Sequence, residues 1–167
     1  MKSSTDSLRV GTLLRMIDEA YGKRSWHGSN LKGSLRGISY STAAWRPAKN
    51  RHNIWEIALH AAYWKYVALR RLLGRKRGSF DVAGSNWFLR PVELSDSAWK
   101  ADLMILERLH QELRKVVAGL NDEELDRKPG GSQDSRDFLI RGSAFHDIYH
   151  AGQIQLLKRL MRNTPRK

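Results

Sequence analysis

Four segments of this chain repeat apolar residues every three to four positions, and between them lie stretches rich in the Gly, Pro, Ser and Asn that interrupt such a period. Strands have almost no support. A chain with four amphipathic helices buries its stripes by packing helix on helix, so the pattern predicts an all-α fold, a four-helix bundle. The spacing places helices over about 6–21, 53–73, 95–119 and 134–162. At 167 residues the whole chain, 1–167, reads as one domain, long enough to bury roughly two-thirds of its unfolded surface around one core.

The first helix carries Val10, Leu13, Leu14, Ile17 and Tyr21 on one stripe, with Gly22 at its C-terminal cap. Asn53 followed by Glu56 reads as a capping box that opens the second helix, on which Ile57, His60, Tyr63, Trp64 and Val67 share a face. The third starts near Ser95, carries Trp99, Leu103, Leu106, His110, Leu113 and Val117, and ends around Gly119. The fourth follows the turn containing Pro129-Gly130-Gly131; its stripe is Leu139, Gly142, His146, Tyr149, His150, Gln153, Leu157 and Leu160. The stretch Lys23 to His52 is longer than an ordinary bundle loop and has room for a short helix around Leu31 to Leu35. The connection Gly74 to Pro91 is long enough to cross the bundle, which allows an up-down-down-up order.

His146 and His150 stand four residues apart on one helical face, so both imidazoles can reach a single ion. His60, on the apolar face of the second helix, can add a third nitrogen, and three neutral imidazoles leave coordination positions open, as catalytic sites do. A lone histidine on such a face is more often a core residue with satisfied nitrogens; the pair opposite a third histidine favours a metal site. The chain has no cysteine, so a transition metal has imidazole, carboxylate and backbone oxygen to choose from, and imidazole accepts zinc, nickel, copper and iron alike. His-Asp-Ile-Tyr-His invites comparison with the His-Glu-x-x-His peptidase helix. Asp147 is one methylene shorter than that glutamate, however, and no His, Asp or Glu follows His150 as a third ligand.

Three further residues are candidates for the chemistry. Glu56, one turn before His60, can orient a ligand imidazole or accept a proton, beside its capping role. Gln153 is a polar amide on the inward face, and His27, in Trp26-His27-Gly28, sits on a loop able to fold over a bundle opening. His110 is placed in the core and His52 in solvent.

Three blocks carry a resemblance: Trp26-His27-Gly28; the run from Asn53 to Trp64 with His60 inside it; and the run His146-Asp147-Ile148-Tyr149-His150 continuing to Arg159. Together they resemble the DinB-like (DinB/YfiT-like) superfamily over nearly the whole chain. The resemblance implies an up-down-down-up bundle, often a homodimer, with a nickel, zinc or similar divalent ion on His60, His146 and His150. It also implies a metal-dependent transferase or hydrolase acting on a small molecule, with a low-molecular-weight thiol as possible cosubstrate.

The formal charge of +13 permits attraction to nucleic acid, anionic lipid or acidic substrates. Arg70, Arg71, Arg75, Lys76 and Arg77 gather at the end of the second helix, and Lys158, Arg159, Arg162, Arg166 and Lys167 at the end of the fourth. Helix C-termini favour cations, which accounts for part of each cluster. No groove-reading or stacking motif accompanies them, so a non-catalytic protein binding nucleic acid or another anionic partner is the alternative reading. The six tryptophans read first as core, with Trp26, Trp45 and Trp87 in loops able to cap the bundle or stack on a substrate. No segment reaches the ~20 apolar residues that span a bilayer, and no apolar stretch follows Lys2, so the expected location is the cytoplasm, with no membrane partner.

Overall fold

The computed structural model describes residues 7–163. It contains α1 (Leu8–Tyr21), α2 (Leu31–Leu35), α3 (Tyr40–Ala44), α4 (Ile54–Leu72), α5 (Asp96–Ala118), α6 (Asp122–Leu125) and α7 (Arg136–Asn163). No strand occurs among the described residues. The four long helices are those expected from the period, and α2 is the short helix foreseen at Leu31 to Leu35. The short α3 and α6 carry no stripe long enough to announce them. The expected helix start at Asp6 and the cations Arg166 and Lys167 lie outside the described residues.

Capping fixes where the helices begin. The Asn53 side chain accepts from the Glu56 backbone N–H at 2.8 Å, and Ser95 Oγ accepts from the Ala98 N–H at 3.2 Å. The capping box expected at Asn53 is only half formed, because the Glu56 carboxylate is drawn instead to Arg46, His52 and the Arg90 N–H. The reciprocal box forms at Asn121 and Glu124, which open α6.

Each long helix packs on two others: α1 on α5 and α7, and α4 on α5 and α7. The core runs between them, and α4 is buried on every side from Ile54 to Ala62. Trp55 and Trp99 meet there with ring centroids 5.1 Å apart, while Trp55 Nε1 donates to Asp102 at 2.7 Å. Tyr21 stacks on His110 at 3.7 Å and donates its hydroxyl to Glu107. His110 is thus a core residue, as expected, although its Nδ1 has no hydrogen-bond partner among the described residues.

The stripe expected on the fourth helix is corrected. Tyr149 is 64 % exposed, Leu160 43 % exposed, and Gly142 lies on the surface. The core-facing residues are instead Ile140, Ala144, Asp147, Ala151 and Ile154, beside Leu139, His150 and Leu157. Asp147 can face inward because Lys65 of α4 meets it with a 2.5 Å hydrogen bond, both side chains being almost wholly buried.

Candidate metal centre

Two helices bring the histidines together. His60 is donated by the fully buried part of α4, and His146 and His150 by one face of α7 where it packs on α4. Ring centroids lie 5.1 Å apart for His60 and His146, 4.8 Å for His60 and His150, and 4.2 Å for His146 and His150. One nitrogen from each ring falls within 4.8 Å of the others, a grouping that could hold a metal ion. His60 and His150 are buried and His146 is half-buried.

The far nitrogens of two rings are already committed. His60 Nδ1 lies 2.7 Å from the Asn86 carbonyl oxygen, and His150 Nδ1 lies 2.7 Å from Gln153 Oε1. A carbonyl can only accept, so both Nδ1 atoms carry the proton and both Nε2 atoms keep a lone pair. His146 Nε2 sits 3.0 Å from His150 Nε2 and is then the donor in that contact. This donor set suits a borderline divalent cation: neutral imidazoles, two of them oriented by acceptors behind the ring. Burial lowers the basicity of all three, to about 3 for His146 and about 4 for His150, with His60 also below its usual value; the neighbouring imidazoles add to this effect. Neutral imidazoles are the form that binds metal.

The loop between α4 and α5 completes the site. Asn86 adopts a left-handed conformation, φ 63°, and from it the backbone holds His60 while the side-chain oxygen accepts from Trp64 Nε1 at 2.9 Å. Trp87 is sandwiched between His60 and His52, at 3.8 and 3.7 Å. Arg90 anchors the same loop, donating to Asp102 Oδ2 at 2.7 Å and giving its carbonyl to Asn53 at 2.8 Å.

The candidates named from sequence separate here. Gln153 joins the site through His150. Glu56 does not: its carboxylate is ion-paired to Arg46 and bonded to His52, and these contacts hold it below the ordinary carboxylate range against the upward push of burial. His27 also stands apart from the three histidines. It is exposed in the turn after α1 and makes no hydrogen bond or ring contact to the described residues, because the loop it occupies turns through Ser25 and Gly28 instead of folding over the histidines. His52, expected in solvent, is exposed but engaged by both Glu56 and Trp87. Asn86 went unrecognised because its contribution is a backbone carbonyl, which no side-chain pattern reveals. Trp87 was visible only as one loop tryptophan among three.

One cleft reaches His146, and another is lined by residues that touch His60 and His150. The second, of about 440 Å³, is bounded by Arg51, His52, Trp87, Gln153 and Leu156; the first, of about 150 Å³, by Trp64, Phe138, Ser143 and His146. A third cavity, of about 320 Å³, is lined by Tyr21, Lys32, Trp99 and Glu107 and contains none of the histidines. No helix among the described residues is long and apolar enough to cross a membrane. No curated protein and no solved structure matches the chain. The model of the DinB superfamily does match, over residues 25–154, and the chain belongs to that superfamily.

Proposed function

We propose that His60, His146 and His150 hold one divalent ion, nickel, zinc or similar, and that the protein is a metal-dependent transferase or hydrolase acting on a small molecule. The observation that carries this reading is the convergence of three imidazoles, one nitrogen of each lying within 4.8 Å of the others. A bound ion supplies Lewis acidity there, polarising a substrate group or lowering its pKa. The chain's own residues orient and shelter. Asn86 and Gln153 fix two rings so that Nε2 faces inward, and Trp87 covers His60 against water. One cleft reaches His146 and another is lined by Trp87 and Gln153, the neighbours of His60 and His150; two approaches favour transfer, which brings two molecules to one centre, and a low-molecular-weight thiol is a candidate for one of them.

The scaffold in this reading is an up-down-down-up four-helix bundle. Contacts of Asp18 with Arg114 and of Tyr21 with His110 support antiparallel α1 and α5. The Trp55–Asp102 bond supports parallel α4 and α5 when taken with the closeness of Lys65 to the stacked Tyr21 and His110. His60 near His150, with Arg71 near Asp134, supports antiparallel α4 and α7.

The test is the metal content of the purified protein and of His60→Ala and His150→Ala. Bound metal near one equivalent, lost in both variants, is expected. Metal that is absent, or indifferent to both changes, removes the proposal.

A further inference from the structure

The cleft beside His146 does not end where its apolar walls end. Its lining runs from His146 past Trp64, Val67 and Phe138 to Arg71 and Asp134. These last two residues also line a larger cleft of about 480 Å³, bounded by Arg70, Arg75, Lys76 and the turn Gly130 to Gln133. The two hollows therefore adjoin at Arg71 and Asp134, and are taken together as one groove that starts between α4 and α7 and ends at the turns beyond them. From His60 to Arg71 is eleven residues of helix, about 16 Å at 1.5 Å per residue.

The ends of the groove differ chemically. Four cations and one carboxylate line the far end, so it is strongly positive. Arg70 is committed to the fold: its guanidinium donates to the carbonyls of Arg75 at 3.0 Å and Lys76 at 2.6 Å, which fixes the turn that presents those two side chains. Arg71 reaches Asp134 only at 3.8 Å, and Arg75 and Lys76 are exposed and form no ion pair among the described residues. Two glycine turns meet there. Gly74 and Gly131 both have positive φ, 66° and 78°, and a Cβ on Gly74 would approach the Gly130 nitrogen at 3.6 Å, so backbone and not side chain fills the junction. The backbone N–H groups of Gly131 and Gln133 have no partner among the described residues. Arginine forks, a lysine and free N–H groups around a hollow form a receptor for a phosphate-type anion.

We infer that this groove takes an elongated, water-soluble small molecule, whose phosphate-type end sits among Arg71, Arg75 and Lys76 and whose apolar body lies along Trp64 and Phe138 toward His146. The inference rests on the proposed function only in taking the histidines as the reacting centre. Binding along the groove requires no ion. The middle of the groove holds about 150 Å³, room for one chain and not for a bilayer surface.

The probe is n-decyl phosphate below its micelle concentration, titrated calorimetrically against the full chain, with and without added metal. Inorganic phosphate, decanol and vesicles containing phosphatidic acid serve as comparisons. Decyl phosphate is expected to bind at least about tenfold more tightly than inorganic phosphate or decanol. An Arg75→Ala, Lys76→Ala double variant weakens both phosphates. Gly142→Leu acts differently: a Cβ there meets no atom within 4 Å, so the fold has room for the change, and Gly142 lines the apolar section, which the leucine narrows; circular dichroism confirms that the variant is folded. It weakens decyl phosphate and leaves inorganic phosphate unchanged. Equal affinity for the two phosphates overturns the inference, as does decyl phosphate binding that either variant leaves intact. Vesicle binding insensitive to Gly142→Leu also overturns it, in favour of a membrane-facing patch. Metal content that fails the histidine test while this pattern holds removes the metal reading and leaves the groove.

Discussion

Replacing Lys65 by methionine tests how the two helices that carry the histidines are held in register. The side chains of Lys65 and Asp147 are 2 % and 1 % exposed, and they meet at 2.5 Å. Asp147 Oδ1 has no hydrogen-bond partner among the described residues, so the lysine is the carboxylate's main compensation. Removing one member of a buried pair costs about 3–5 kcal/mol, because the other charge stays buried without its partner. Against the roughly 5–15 kcal/mol of total stability usual for a domain, that is a large share. The double variant Lys65→Met, Asp147→Leu removes both charges and keeps most of the volume, so it is expected to recover most of the loss. Urea unfolding followed by circular dichroism measures all four members of the cycle, provided the slopes agree. The pH dependence adds a sign. Burial pushes the Asp147 carboxyl above its ordinary value, with Lys65 opposing. Without Lys65 the push is unopposed, and a carboxyl whose folded pKa is raised contributes stability at low pH that is lost as pH rises through that pKa. The penalty of Lys65→Met is therefore larger at pH 8 than at pH 5. A single variant costing less than about 1 kcal/mol at pH 8, or a double variant no better than the single, refutes the reasoning.

Two other outcomes follow from the site and the core. Gln153→Leu frees His150 to adopt the wrong tautomer and should weaken metal binding about 10- to 100-fold in a chelator competition; unchanged affinity refutes the orienting role. Burial, with Lys65 nearby adding to it, depresses His110 to about 3, so it stays neutral in the fold while the unfolded chain takes a proton near pH 6.5. Stability is then lost as pH falls below about 6.5, by about 2 kcal/mol at pH 5 from this residue alone. His110→Phe, compared with the parent in metal-free protein at pH 7 and pH 5, should lose that much less; an identical loss removes the explanation.

The long helices could be read because their ends are marked. Asn53, Ser95 and Gly119 are caps whose chemistry is local, and local chemistry is what a sequence displays. The facing of α7 could not be read in the same way. Its inward side is made of Ala144, Ala151 and a charged Asp147, and what permits the charge is Lys65, 82 residues away. The histidines divide along the same line. His146 and His150 share a face by spacing alone, whereas the approach of His60 depends on how α4 meets α7. Glu56 looked available because its partners, Arg46 and Arg90, come from loops whose paths no period encodes. The exposure of His27 had no signal either, since the residues around it fit a lid as well as a free turn.

Asn86 divides the site into parts that can vary separately. The imidazoles sit on helices whose packing fixes them, but the acceptor behind His60 is a main-chain oxygen, which every amino acid possesses. The side chains of the loop from Gly74 to Pro91 that touch neither the histidines nor their neighbours can therefore change, and with them the shape of the entrance, without altering the His60 nitrogen that faces the other two imidazoles; Trp87 and Arg90, which stack on His60 and anchor the loop, are not among them. One restriction remains at position 86, where a φ of 63° admits asparagine, aspartate or glycine far more readily than a branched residue. Entrance and histidine cluster are thus partly separate units of variation, joined at the Asn86 peptide group and at the Trp87 ring.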